Sequence, residues 1–206
     1  MINQIRGVLF EHGITLPQGG HVIRKALPEI LEDADNNLGF ALRELLAELL
    51  AAMIHADERV AAYDHKIAVL SQQNEPCQRL MSIPGIGPLI ATALVAAVGT
   101  GQVFKNGREM AAWLGLVPRQ HSTGGRSVLL GISKRGDTYL RALLIHGARA
   151  VVRCAAKKSD QRSRWVSDLA RRRGANIAAV ALANKNVRMA WALLTRGETY
   201  QVGNAV

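Results

Sequence analysis

The chain has few aromatic residues, two cysteines and no long apolar run, and each shortage removes a class of protein. Only 4% of its 206 residues are Phe, Trp or Tyr, while 49% are hydrophobic, mostly alanine and leucine, a composition that favours helix. Cys77 and Cys154 are too few and too far apart for a disulfide scaffold or a zinc site. That pattern fits a reducing compartment, read here as the cytoplasm. No stretch of about 18 apolar residues is present, so no membrane span is expected. A basic-then-apolar signal peptide is also missing at Met1. The histidines have no H-x-x-x-H spacing. Glu32, Asp33 and Asp35 lie in a polar, loop-like stretch, so the convergent carboxylates of a two-metal nuclease are not expected, and no metal ligand is assigned.

Acidic residues are scarce in one part of the chain only. Met1 to Pro76 carries 6 Lys/Arg against 11 Asp/Glu, whereas Cys77 onward carries 20 against 5, a net of +15. A basic part of that strength attracts polyphosphate by counterion release, with steep salt dependence. Nucleic acid is the expected partner.

The order of elements is helical almost throughout. A first helix ends at Gly13, a turn-rich linker passes Pro17, Gly19 and Gly20, and a short helix starts near Pro28. From Leu38 to Ser71, Leu42, Leu46, Leu49, Met53, Ala56, Val60, Tyr63, Ile67 and Leu70 repeat at spacings of four and three. This heptad seam predicts a coiled-coil arm or a packed antiparallel pair, suited to dimerisation or spacing. Asn106 three residues before Glu109 makes a capping-box-like start. Two more helices are expected at Asp160 to Arg173 and Asn176 to Thr195, parted by Gly174. The three tryptophans sit in apolar contexts and read as core. Asn184 and Asn186 interrupt the last helix without an evident role.

Residues Met81 to Thr92 read MSIPGIGPLIAT. Gly85 and Gly87 permit a sharp turn that lies close to a ligand, and Pro88 suits the first helical turn after it. Free N–H groups at that helix start make an anion site for a phosphate. The arrangement is that of a helix-hairpin-helix, a grip on nucleic-acid backbone; an ordinary interhelical turn is the alternative.

Pro118 to Gly136 changes character: short apolar runs, adjacent glycines and hydroxyls predict a small β-hairpin or ordered loop. It gathers Arg119, His121, Ser122, Thr123, Arg126, Ser127, Ser133, Lys134 and Arg135. A serine hydroxyl beside arginines has the parts for attack on a phosphodiester, since the cations stabilise the transition-state charge. Hydroxyls that merely cap turns are the alternative. His121, next to Ser122 on an extended strand, points to the other face. Arg141, Arg149 and Arg153, with Arg162, Arg164 and Arg171 to Arg173, suggest a basic track for phosphates.

The succession IPGIGPLIATAL, FKNGREMAAWLGLVPRQHSTGGR and LGISKRGDTYLR resembles the C-terminal transposase domain of the insertion sequence 110 family, in its 1111 subgroup. The resemblance covers about Ile2 to Tyr200, and its specific motifs lie between Ile83 and Leu140. It implies a bacterial DNA recombinase in which an acidic RuvC-like domain, a coiled coil and a serine-bearing domain combine. Ser122 matches the family's serine, which attacks DNA to form a phosphoserine link. Arg119, Arg126, Lys134 and Arg135 are then expected near the scissile phosphate. The resemblance also implies a structured guide RNA, and Mg2+ held by the RuvC-like domain, which has no counterpart in this sequence; no cofactor is expected in the chain itself. A truncated product is therefore expected.

The expectation is a mainly α protein: a long coiled-coil helix, then a helix-hairpin-helix-containing helical domain with a small β-hairpin. The boundaries are a helical arm at 1–76, a basic transposase domain at 77–200 and a frayed tail at 201–206. Its function is DNA transposition, with DNA as partner, a homo-oligomer through the coiled coil, and no membrane. The alternative is an inactive nucleic-acid-binding fragment, or a regulator that dimerises through the arm.

Overall fold

A computed structural model describes residues 1–198 and 200, apart from the side chain of Ser127. The tail expected at 201–206 lies outside the described residues. Among those described, nine helices and one two-stranded antiparallel sheet make a mainly α protein. No helix of the described residues is long and apolar enough to cross a membrane. The chain divides into two compact units, Met1–His65 and Lys66–Val206.

In the first unit, α1 (Ile2–Glu11) ends in a Schellman turn. The N–H of Gly13, at φ 80°, donates to Phe10 O at 3.0 Å, and that of Ile14 to Leu9 O at 2.9 Å. α2 runs over Gly20–Glu32, so the helix expected near Pro28 begins eight residues earlier and contains the proline. The reason is the apolar stripe Ile23, Leu27, Ile30 and Leu31, which packs into one cluster and outweighs a single missing backbone hydrogen bond. Arg43 then closes the end of α2. Its guanidinium donates to the carbonyls of Leu31 at 2.6 Å and Asp33 at 2.8 Å, and to Asn36 Oδ1 at 2.6 Å.

α3 (Phe40–Gln73) is the long helix expected from the seam. The first half of that seam is packed in the first unit's core. Leu42, Leu46, Leu49 and Met53 join Ile5, Leu9, Ile23 and Leu27 in the first unit's core. Val60, Tyr63 and Leu70 are 60%, 56% and 58% exposed.

The second unit has its own core, organised on α9 (Ala175–Arg196), a helix buried at ten positions. α9 packs against α4 (Glu75–Met81), α6 (Gly107–Trp113), α7 (Thr138–Ala155) and α8 (Gln161–Arg173), while α5 (Pro88–Val98) lies on α4 and α7. Side-chain caps start several of these helices. Asn74, Asn106, Asp137 and Asp160 each accept the N–H three residues on. Glu109 replies by accepting the Lys105 N–H at 2.6 Å, a capping box shifted by one residue. β1 (Pro118–Thr123) and β2 (Arg126–Ile132) form the expected hairpin. Gly124 and Gly125 both take positive φ, 55° and 77°, which matches a type I′ turn. Trp165 and Trp191 are half-buried against the core, and the Trp191 indole donates to Gly101 O at 3.1 Å.

Candidate nucleic-acid interface

The turn between α4 and α5 is built from two buried isoleucines and a glycine with no room around it. Ile83 is fully buried and Ile86 nearly so, which anchors both sides of the Pro84–Gly85 step in the core. Gly85 sits at φ 93°, and a Cβ there would come within 3.0 Å of Gly147 O. Gly147 on α7 is equally constrained, since its own Cβ would overlap the Gly85 carbonyl. The turn and α7 therefore touch backbone to backbone. Gly87 is different: its φ is −97°, and a Cβ there meets nothing within 4 Å. It caps α5 without a side-chain hydrogen bond, so the first N–H groups of that helix gain no protein acceptor from the cap.

Behind the turn lies a buried polar cluster that sequence reasoning missed. Arg162 Nη2 donates to Pro84 O at 3.1 Å and to Asn186 Oδ1, and Asn186 Nδ2 donates to the same Pro84 carbonyl at 3.1 Å. Arg162 is 9% exposed, and its Nε and Nη1 have no hydrogen-bond partner among the described residues, while the guanidinium lies 5.7 Å from the Tyr200 ring centre. Asn186 thus has a role: it holds the turn from the last helix. Asn184 does the same for the hairpin's approach, donating to Leu116 O at 3.2 Å. Paired asparagines on a buried helical face were the available signal.

The hairpin carries its candidate residues on a fixed base and an open end. Gly115 and Gly136 bring two backbones together, for a Cβ on Gly115 would overlap Arg135 O and one on Gly136 would overlap Trp113 O. Arg141, 8% exposed, rivets the junction by donating to Leu114 O at 3.1 Å and Arg135 O at 3.2 Å. Ser133 and Lys134 add backbone bonds to Val117 O and Gly115 O at 2.8 and 3.1 Å. Above this base every residue of β1 is exposed.

Ser122 stands on β1 opposite Ser127 of β2, and its Oγ accepts a hydrogen bond from Gln120 Nε2 at 2.8 Å. His121 pairs with Val128, so it occupies the other face of the ribbon from Ser122. Arg119 and Arg126 lie exposed on the two strands, with Thr123 opposite Arg126. Lys134 and Arg135 are exposed just past the hairpin base, Lys134 with a positive φ of 56°. By the same register Arg119, and Arg126 opposite Thr123, share the face of His121, so the structure places the two arginines on the same ribbon as Ser122 but on its other face, with Lys134 and Arg135 at its foot. Gly85 and Gly87 belong to the separate α4–α5 turn. Two arginines leave the basic track expected from sequence: Arg141 and Arg162 are buried hydrogen-bond donors, because backbone carbonyls at 114, 135 and 84 need them. Arg149, Arg153, Arg164 and Arg171 to Arg173 remain accessible.

No group of three or more His, Cys, Asp or Glu able to hold a metal ion occurs among the described residues. The thiol of buried Cys77 is held above its ordinary range by loss of solvent, which suits packing and not nucleophilic work.

Comparison with known proteins fits this geometry. Residues 77–164 match the model of the transposase IS116/IS110/IS902 family, a span that holds both the α4–α5 turn and the hairpin. The chain is 48% identical over 204 residues to a family 20 transposase of Pseudomonas aeruginosa, covering 98% of this chain and 60% of that protein. It is 46% identical over 203 residues to the transposase for insertion sequence element IS1111A of Coxiella burnetii, covering 98% of this chain and 56% of the relative. The transposase for insertion sequence element IS1328 of Yersinia enterocolitica is 37% identical over 200 residues, 96% of this chain and 58% of its own length. The chain therefore spans a little over half the length of these relatives.

Proposed function

We propose, from the match of residues 77–164 to the model of the transposase IS116/IS110/IS902 family, that the chain serves DNA transposition with Ser122 as the nucleophile. The observation that carries this reading is an exposed serine on a hairpin whose foot is riveted by Arg141 and whose surroundings are cationic. Ser122 Oγ attacks the phosphorus of a phosphodiester. An O–P bond forms to the serine, one ester P–O bond breaks, and the departing strand leaves with a hydroxyl once the serine proton has been passed on. Arg119 and Arg126 start from the other face of the same ribbon and reach the phosphate around its open edge, and Lys134 and Arg135 stand at its foot; cations so placed offset the charge that builds on the phosphoryl oxygens.

The α4–α5 turn acts as a helix-hairpin-helix grip on backbone phosphate, through Gly85, Gly87 and the free N–H groups of α5. The functional division is an arm at 1–76 and a basic DNA-handling domain at 77–200. In this proposal magnesium belongs to an acidic RuvC-like domain. The described residues of this chain do not furnish its ligands, so no step here runs through the metal. A structured guide RNA shares the basic surface with DNA.

The exposed second half of the α3 seam supports a further part of the reading, oligomerisation through a coiled coil. If the acidic domain is not engaged, the same features make a nucleic-acid-binding regulator. A trapping experiment separates the two. With DNA and an acidic RuvC-like partner present, wild type yields a covalent protein–DNA adduct and Ser122→Ala yields none. An adduct that survives Ser122→Ala, or none from wild type, removes the nucleophile from the proposal.

A further inference from the structure

Beside the hairpin, the second unit contains a cavity of about 880 Å3 that neither the family nor the serine chemistry accounts for. One wall is the lower half of β2, with Leu129 and Ile132; the others come from Trp165 of α8 and from Ile177 and Val180 of α9. The size and apolar lining are those of a small-molecule site. Its charged residues are all cations, Arg173, Lys185 and Arg188, and no acidic residue lines it. Among the described residues none of the three has a carboxylate within ion-pair distance. Lys185 and Arg188 are half-buried, and Lys185 Nζ lies 5.1 Å from the Trp165 ring centre. An apolar slot ringed by unpaired cations suits a ligand with a flat apolar body and an anionic edge.

Two carboxamides sharpen the ligand's chemistry. Asn176 Oδ1 accepts from Arg149 at 3.3 Å, which leaves its Nδ2 as a donor. Asn184 Nδ2 donates to Leu116 O at 3.2 Å, which leaves its Oδ1 as an acceptor. The lining thus offers one donor and one acceptor among apolar groups, the pattern a heterocyclic base edge can answer. Register ties the cavity to the hairpin. Leu129 pairs with Gln120, and Gln120 is two residues from Ser122, so Leu129 and Ser122 share a face of the ribbon about 7 Å apart along the strand.

We propose that this cavity receives an unstacked nucleobase of a bound single strand, from the nucleotide next to the phosphate presented to Ser122, with Arg173, Lys185 and Arg188 on its phosphates. The inference rests on the nucleic-acid reading above and adds the substrate class: the strand must be locally unpaired at the hairpin.

The test compares a mixed-sequence single-stranded DNA with an abasic strand of the same length and charge, bound to the full chain at one salt concentration. The base-bearing strand is expected to bind about tenfold more tightly. Ala181→Leu, which narrows the cavity, and Ile177→Ser, at a position 48% exposed where folding tolerates change, are each expected to reduce that advantage to less than about threefold. The salt slope is expected to stay that of wild type. Equal binding of the two strands by wild type overturns the base site while leaving backbone binding in place. An advantage that survives both substitutions also overturns it. So does an acidic amphipathic peptide that occupies the cavity more tightly than the base-bearing strand, which would mark a protein-docking groove. Failure to bind either strand removes this inference together with the nucleic-acid reading beneath it.

Discussion

Gly85 and Gly87 are two residues apart, yet they are glycine for different reasons. Gly85 is demanded by the fold, through its φ of 93° and its contact with Gly147. Gly87 has an ordinary backbone conformation and open space where a side chain would stand. A substitution at each therefore separates folding from binding. Gly147→Ala drives a methyl into the Gly85 carbonyl and is expected to cost about 2–3 kcal/mol, seen as a drop in Tm. Gly87→Ala is expected to leave Tm within about 1 °C, because surface changes away from special features are small. It should nonetheless weaken DNA binding severalfold, as the methyl would meet a backbone lying on the turn. Unchanged affinity in Gly87→Ala would remove the turn from the interface. Sequence revealed the turn itself, since Pro, Gly and Ile at this spacing have few other uses. It could not reveal Arg162, because buried and exposed arginines look alike until the carbonyls they serve are in place.

At the level of single elements, α3 shows where a sequence pattern stops being informative. Its heptad seam is uniform from Leu42 to Leu70, but the first half is covered by α1 and α2 while Val60 and Leu70 stay exposed. Periodicity reports that a helix has an apolar face and says nothing about what covers each part of it. Val60→Glu with Leu70→Glu is expected to shift the chain toward monomer in sedimentation velocity without lowering Tm. A wild type that is already monomeric at micromolar concentration would end the coiled-coil reading. The hairpin was legible for a local reason, two glycines between β-rich runs, and α2 was not, because its proline suggested a start where tertiary packing instead tolerates it inside.

The cap of α8 yields a pH-dependent prediction. Asp160 accepts from Ser163, through its hydroxyl and its N–H, and these bonds, aided by Lys158, hold its carboxyl below the ordinary carboxylate range. A lowered pKa in the folded state means the stabilisation is complete above the unfolded value near 3.9 and disappears as pH falls through the folded value. Asp160→Ala is therefore expected to lower Tm by about 3 °C at pH 7, from the loss of one N-cap. The gap between variant and wild type should close as pH is taken below the carboxylate range. A gap that persists in acid would show that packing, and not the charged cap, is responsible.

Over the whole molecule the charge is divided, with 6 Lys/Arg against 11 Asp/Glu up to Pro76 and 20 against 5 beyond it. Composition made that division plain, but not which cations are available, for Arg141 and Arg162 are consumed inside. DNA affinity should fall linearly on a log–log plot against salt, and each of Arg119→Gln, Arg126→Gln and Arg135→Gln should flatten the slope by about 1. A slope unmoved by all three would place the phosphate track elsewhere on the second unit.

α9 also sets an order in time. Asn186 closes on Pro84 from 102 residues away, and Asn184 on Leu116 from 68. Chains are made from the N-terminus, and contacts of such separation wait for their later partner. The turn and the foot of the hairpin are therefore translated early and locked late. A nascent chain whose first six helices and hairpin have emerged holds neither feature in its final form until the last helix leaves the ribosome.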